Sequence, residues 1–357
     1  MAIKQTIYWL FGIALISLAV LYLGYEEISR AIGHADARII FFLALLQLFT
    51  LTISAYQWKL LITKSNCSIL LGRVLVIFLA GNYVESVTPS VKFGGETAKI
   101  YLFHQQTSLS YTKLGGILLA LKYYSLLPFL IISALILGLA VLSYQLPAIV
   151  VLAFIILLLI FAMIAWMHHK GGSANTSLVN QTNEESFITS RSDQNPNHFF
   201  QQMISLFKKK FKTLVSFINR ASAYSRSMAT PVESYTLIGM SALIWGLYPL
   251  KVYLVTYMLG FEVDLVTVSI ATFTAYLVSM VPLLPGGLGS FEGSMVLMFS
   301  ISGLTPAEGL TAALLSRLIT YWFPLILSAA AAAYLSIIYK SSRPGEEKQP
   351  QNRKELI

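Results

Sequence analysis

The chain has 357 residues, 56% of them hydrophobic and only 11% charged, against the roughly 25% charged that soluble domains carry. That composition excludes a soluble globular protein and reads as an all-α polytopic membrane protein. The net charge of +9 then reports orientation and contact with anionic lipid rather than nucleic acid. Cys67 is the only cysteine, which excludes an internal disulfide or thiolate cluster. The histidines show no ligand spacing, so neither a metal nor a cofactor is expected.

Taken in chain order, the first apolar run is 5–23. It lacks a small-residue cleavage site before Glu26-Glu27 and reads as a retained helix. The second span is 39–61, followed by Lys59, Lys64 and Arg73, which place that loop in the cytoplasm. Region 73–109 is apolar but interrupted, reading Tyr83-x-x-Ser86-x-x-Pro89 and then Lys92, Gly94-Gly95-Glu96 and Lys99. Spans 113–140 and 144–166 follow, and the first of them carries Lys122 and Pro128 in its interior.

Residues 167–234 form a cytoplasmic loop rich in Lys and Arg. Within it, 198–220 places Phe200, Met203, Ile204, Phe207, Phe211, Leu214, Val215 and Ile218 on one helical face, opposite Lys208, Lys209, Lys210 and Lys212. That is the pattern of a helix lying on an anionic leaflet. Span 235–259 leads to an outer loop holding only Glu262 and Asp264. A second interrupted region, 265–303, reads Tyr276-x-x-Ser279-x-x-Pro282-x-x-Pro285-Gly286-Gly287-x-Gly289-x-x-Glu292. The last span, 307–338, carries Arg317 and Pro324, and a basic cytoplasmic tail covers 340–357. The count is about six full spans and two broken segments, with both termini cytoplasmic in the plasma membrane of a prokaryote.

The two interrupted regions match at an offset of 193 residues, Tyr83, Ser86 and Pro89 against Tyr276, Ser279 and Pro282. Upstream, Tyr56-x-x-Lys59 matches Tyr248-x-x-Lys251; downstream, Lys122 and Pro128 match Arg317 and Pro324. A unit of span, hairpin and span therefore occurs twice, at 39–140 and 235–338. The loop charges place each hairpin's two ends on one side and the two hairpins on opposite sides. That is an inverted-topology repeat of re-entrant hairpins, an arrangement that puts substrate near the bilayer midplane.

A backbone broken by Pro and Gly is tolerated in hydrocarbon only where it lines a polar cavity or is buried in protein. Pro89, Gly94 and Gly95 mark the first such break, and Pro282, Pro285, Gly286, Gly287 and Gly289 the second. Lys122 and Arg317, each costing at least ~2.5–3.5 kcal/mol inside a span, call for counterions. Glu96 and Glu292 stand at the matching positions, so Lys122 is expected to pair with Glu96 and Arg317 with Glu292, or each with the other's glutamate. Glu96, Lys99, Lys122, Glu292, Arg317 and Lys92 are thus the candidate substrate-handling residues, with His104 adding positive charge near the first hairpin. Glu85 and Lys251 are weaker candidates that face the interior. No nucleotide-binding loop, dinucleotide fingerprint or nucleophile elbow occurs, so no enzyme activity is expected.

Pro282-x-x-Pro285-Gly286-Gly287-Leu288-Gly289-x-x-Glu292, with Arg317 and Pro324 downstream and Gly95-Glu96-x-x-Lys99 upstream, resembles the flippase-like membrane domain of bacterial lysylphosphatidylglycerol synthases. It equally resembles the stand-alone bacterial and archaeal proteins built from that domain alone. Lys99 stands where arginine is usual, and Lys92-Phe93 where Pro-Gly is usual. The resemblance implies movement of lipid between leaflets without the soluble aminoacyl-transfer half. Two readings follow. One is a translocase for a phosphate-bearing or polyprenyl-type lipid, with anionic headgroups as partners. The other is an accessory subunit for a lipid-modifying enzyme or glycosyltransferase.

Overall fold

With no water to bond a free peptide group in hydrocarbon, a spanning chain must satisfy its backbone within itself. The described segments accordingly form helices joined by short turns. The computed structural model describes residues 36–87, 93–143, 230–279 and 285–341, with isolated positions besides. Spans 5–23 and 144–166 (apart from scattered positions), the amphipathic segment 198–220, and the tail beyond Ser341 lie outside the described residues. So do Pro89, Lys92 and Pro282.

Helix α1 is Ala37–Lys64, α2 is Leu71–Val87, α3 is Phe93–Thr107 and α4 is Tyr111–Ser143. After the central loop come α5, Pro231–Met258, then α6, Leu265–Ser279, and α7, Ser290–Ile301. The last rod runs through α8, Pro306–Arg317, a π turn at Leu318–Trp322, and α9, Phe323–Ser341. Four of these are long and apolar enough to cross a membrane: α1, α4, α5 and the rod Pro306–Ile338. They are the expected spans 39–61, 113–140, 235–259 and 307–338.

In the interrupted regions the described helices stop at Val87 and Ser279 and resume at Phe93 and, after the turn Pro285–Gly287, at Ser290. Helices α2 and α3 have 17 and 15 residues, and α6 and α7 have 15 and 12. At ~1.5 Å per residue they reach about 18–26 Å, short of the ~30 Å hydrocarbon core. Each pair packs against itself, α2 on α3 and α6 on α7. The hairpins are also gripped by the other half of the chain, because α9 lies along α2 and α4 lies along α6.

Helices α1 and α5 run antiparallel, held by three links in inverse order. Lys64 pairs with Glu233 at 2.7 Å. The Gln57 amide donates to the Ser241 hydroxyl at 2.9 Å and the Leu237 carbonyl at 3.2 Å. Deeper in, the Lys251 ammonium donates to Gln47 at 2.6 Å and Thr50 at 2.8 Å. The end of α1 therefore shares a face with the start of α5.

Local chemistry starts the helices where they start. Thr230 and Glu233 form a reciprocal capping box on α5, as Thr305 and Glu308 do on α8, each followed by proline at the first position. Asp264 caps α6, accepting from the Thr267 hydroxyl at 2.6 Å and the Val266 and Thr267 amides. Those bonds, the Thr267 hydroxyl first, hold its carboxyl below the ordinary range.

Two large apolar cores result among the described residues, beside a small one of Leu43, Val255, Leu315 and Ile319. One gathers Trp58, Leu61, Ile77, Phe78, Phe103 and Leu114, with the Trp58 and Phe103 rings stacked at 4.9 Å. The other gathers Phe129, Phe273, Phe291, Met295 and Phe299.

The first hairpin closes through glycine. A Cβ on Gly95 would lie 2.3 Å from the Glu85 Cβ and 2.8 Å from backbone atoms of α2, whereas one on Gly138 would meet nothing within 4 Å. Overpacking of this kind costs about 1–3 kcal/mol, while alanine for glycine in an open helix gains about 0.5–1 kcal/mol. Gly95→Ala is therefore expected to lower the thermal unfolding temperature in detergent, and Gly138→Ala to hold or raise it.

Candidate functional site

Two charged clusters stand at the two backbone breaks. In the first, Glu96 occupies the opening turn of α3, where a carboxylate complements the positive helix end. Its Oε1 lies 2.5 Å from the Lys122 ammonium and 3.6 Å from that of Lys99. Lys99 reaches the Glu85 carboxylate at 3.2 Å and lies 4.9 Å from the centre of the Phe78 ring. The cluster is thus a relay of alternating charge, Glu85, Lys99, Glu96 and Lys122, drawn from α2, α3 and α4. Lys99 and Glu96 are buried, but the Lys122 side chain is 55% exposed and that of Glu85 24%. A second oxygen, Glu96 Oε2, is buried without a hydrogen-bond partner.

The second cluster is closed. Glu292 accepts from the Gly289 amide at 2.7 Å, a cap on the start of α7, and its Oε1 lies 3.1 Å from Arg317 Nε. That Nε contact is close in distance without the alignment of a hydrogen bond. The guanidinium spends its other nitrogens on backbone, Nη1 on the Gly286 carbonyl and Nη2 on the Gly287 carbonyl, both at 2.8 Å. It is sandwiched by the Phe291 ring at 4.5 Å and the Tyr321 ring at 4.9 Å. Both charged side chains are nearly inaccessible, at 6% and 5%.

Glycine is obligatory at this turn. Gly286 and Gly287 have φ of 63° and 66°, a region L side chains rarely enter. A Cβ on Gly286 would also lie 2.3 Å from the Tyr321 hydroxyl. Tyr321 reaches that spot from the π turn that follows Arg317, a local widening of the helix often met at functional positions. The turn Pro285–Gly287 packs against α2, the helix that carries Glu85, so the second break abuts the first hairpin.

The expected pairs, Lys122 with Glu96 and Arg317 with Glu292, are both formed, and Lys99 joins the first. Gly94 and Gly95 lie inside the first turn of α3 rather than before it; Gly289 immediately precedes α7. His104 does not join the cluster: it sits in the last turn of α3, with Nδ1 2.7 Å from the Leu109 carbonyl and its ring 4.1 Å from that of Tyr111. Its role is local, closing the turn into α4.

Lys251 is more central than its sequence setting implied. It is 1% exposed, and its hydrogen bonds go to neutral side chains, Gln47 and Thr50, each 3% exposed. Its ammonium lies 5.0 Å from the Tyr248 ring. From there ring contacts continue, Tyr248 to Tyr276 at 4.6 Å and Tyr276 to Phe291 at 5.3 Å, reaching the ring that covers Arg317. The signal in the sequence was Gln47 and Thr50, polar residues three apart on one face of an apolar helix.

Removing one partner of a buried ion pair typically costs ~3–5 kcal/mol. Arg317→Gln is accordingly expected to lower the unfolding temperature more than Glu292→Gln, since it also frees two backbone carbonyls. The double variant should recover part of the loss caused by Glu292→Gln but not the part caused by the freed carbonyls. Thermal unfolding of the purified protein in detergent measures all three.

Comparison with known proteins places this chain in a family. The model of the lysylphosphatidylglycerol synthase transmembrane region matches residues 9–328. A UPF0104 membrane protein of Methanothermobacter thermautotrophicus is 25% identical over 346 residues, covering 93% of this chain and 95% of that protein. UPF0104 membrane proteins of Pyrococcus horikoshii and Methanocaldococcus jannaschii are 22% and 21% identical, covering 91% and 92% of this chain and 95% and 94% of theirs. The chain is a multi-pass membrane protein belonging to the lysylphosphatidylglycerol synthase transmembrane-region family.

Proposed function

We propose that this protein is a lipid translocase, moving a phosphate-bearing or polyprenyl-type lipid between leaflets past the two charged clusters. The observation that carries the reading is the pair of ion-paired clusters beside two interrupted regions, each joining a carboxylate on a helix too short to span to a cation on a helix long enough to cross the membrane. A fold that only needed stability would gain as much from apolar residues of similar volume. Charges and irregular backbone at membrane depth are instead the usual furniture of a polar pathway.

On this reading the two clusters, Glu96, Lys99 and Lys122 with Lys92 in the first and Glu292 and Arg317 in the second, flank the path that the headgroup takes, while the acyl chains stay in the bilayer. The hairpins α2–α3 and α6–α7 are re-entrant from opposite leaflets. The antiparallel run of α1 against α5 supports that arrangement, because the helices that open the two repeats then start on opposite faces. The protein sits in the plasma membrane with cytoplasmic termini, and 198–220 rests on the anionic inner leaflet. Movement is passive or ion-coupled, since no nucleotide-binding motif stands in the sequence.

Reconstitution tests activity. Vesicles holding the protein and a fluorescent-tailed phosphatidylglycerol should lose outer-leaflet and then inner-leaflet fluorescence to dithionite, whereas protein-free vesicles lose only the outer half. Equal protection in both would refute the translocase. Topology is checked separately in a Cys67→Ser background. Ser68→Cys and Glu262→Cys, both at exposed turns, should label with an impermeant maleimide from opposite sides of sealed vesicles. Labelling from one side would remove the inverted arrangement.

A further inference from the structure

The pairs Glu96 with Lys122 and Glu292 with Arg317 stand at matching positions in the sequence, yet their contacts differ. In the second, the charges meet within the chain: Arg317 faces Glu292 and donates to Gly286 and Gly287, and Glu292 accepts from Gly289, while the buried Arg317 Nε and Tyr321 hydroxyl make no aligned hydrogen bond among the described residues. Both charged side chains are buried and each is covered, so a ligand would have to displace backbone to enter. In the first, Lys122 makes one ion pair through one of three N–H groups, and its side chain is 55% exposed. It lies eleven residues into α4, about 17 Å along the axis, where an exposed ammonium facing hydrocarbon is costly. Beside it Glu96, 8% exposed, uses Oε1 for both lysines while Oε2 has no hydrogen-bond partner among the described residues. A buried carboxylate oxygen is rarely left unmatched unless a donor arrives from elsewhere.

We infer that the first cluster alone is the headgroup seat, and that it takes a lipid carrying a hydrogen-bond donor within reach of its phosphate. Lys122 meets the phosphate, as an ammonium does well in any direction. Glu96 Oε2 accepts from a neighbouring hydroxyl or ammonium on the same headgroup. Lys99, held between Glu85 and Glu96, is a positioning residue that keeps the carboxylate oriented. The second cluster is a clamp on the α6–α7 turn. A phosphodiester without such a donor satisfies Lys122 but leaves Glu96 Oε2 unmatched, and binding sites reject substrates that leave a buried polar group unpaired. This assignment rests on the translocase reading for its setting, but not for its binding test.

The test compares three phospholipids of equal chain length: phosphatidylglycerol with a hydroxyl donor, phosphatidylethanolamine with an ammonium donor, and phosphatidylmethanol with neither. Binding is read as the shift in thermal unfolding temperature of the full chain in detergent with short-chain forms of each. Transfer is read in vesicles with fluorescent-tailed forms. At least one donor-bearing lipid is expected to bind and move roughly 10-fold better than phosphatidylmethanol, and the better of the two identifies hydroxyl or ammonium. Soluble glycerophosphoglycerol at the same concentration is expected to give no shift; a shift equal to that of the lipid would overturn a lipid as the occupant. Glu96→Gln should cut the preference to less than about 2-fold, and Lys122→Gln should weaken all three lipids alike. The double variant Glu292→Gln with Arg317→Gln should keep the preference even where transfer slows. Equal handling of all three lipids by the unaltered protein overturns the inference without any variant, as does loss of the preference in the second-cluster double variant. Preferential binding without any transfer would uphold the headgroup seat and overturn the translocase.

Discussion

An arginine enclosed by apolar helices and a backbone broken inside the same helices are two separate costs, and in this protein each cancels the other. The Gly286 and Gly287 carbonyls, freed where φ turns positive, accept from the two terminal nitrogens of Arg317. Glu292 neutralises the same guanidinium while capping the amide of Gly289. Planar, rigid and five-donor, guanidinium suits this task as an ammonium would not. Remove the arginine and the turn exposes carbonyls with no water to take them; remove the turn and the arginine becomes an unpaired charge. The α6–α7 hairpin, and through it the packing of its turn on α2, depends on that mutual arrangement.

The first hairpin answers a related problem with other means. Its arms approach through glycine, Gly95 against Glu85 and Gly81 against the Lys99 stem, so helices bearing four charged groups can lie close. Lysines replace arginine here. Their ammonium groups make point contacts with carboxylates instead of gripping backbone, and the cluster is left partly open through Lys122 and Glu85. One cluster is thus a closed clamp and the other an open relay, and arginine in the one against lysine in the other goes with the difference in access.

Much of the architecture was legible in the chain because hydrocarbon permits few solutions. Runs of about twenty apolar residues had to be long helices, and Pro-Gly clusters had to interrupt them, so α1, α4, α5 and the final rod fall where hydropathy put them. The pairs Lys122–Glu96 and Arg317–Glu292 were legible for a similar reason: an intramembrane charge needs a counterion, and each had one in its own repeat. What was not legible depends on three-dimensional access and on neutral partners. Nothing in the sequence says that Lys122 is exposed while Arg317 is enclosed. The glycine pair announces a break but not the side chain that fills it, and no sequence pattern marks the π turn that brings Tyr321 to Gly286. His104 was misjudged because proximity along α3 was taken for proximity to the cluster, when eight residues of helix carry it about 12 Å away.

Lys251 shows what a pairwise search for counterions overlooks. Its hydrogen-bond partners are an amide and a hydroxyl, so no ion pair advertises it, yet it ties α5 to α1 at the depth where the two opening helices cross. Neutral acceptors hold a buried amine at less cost than a bare apolar wall, but they leave its charge uncompensated, unlike the carboxylates that serve Lys99 and Lys122. Through Tyr248, Tyr276 and Phe291 its surroundings are continuous with the rings that enclose Arg317. A shift of α1 against α5 would therefore disturb the aromatic cover of the clamp, and a shift of the clamp would bear on the Lys251 pocket. The α1–α5 crossing and the clamp are thus joined by one run of touching side chains, so neither can be repacked without the other.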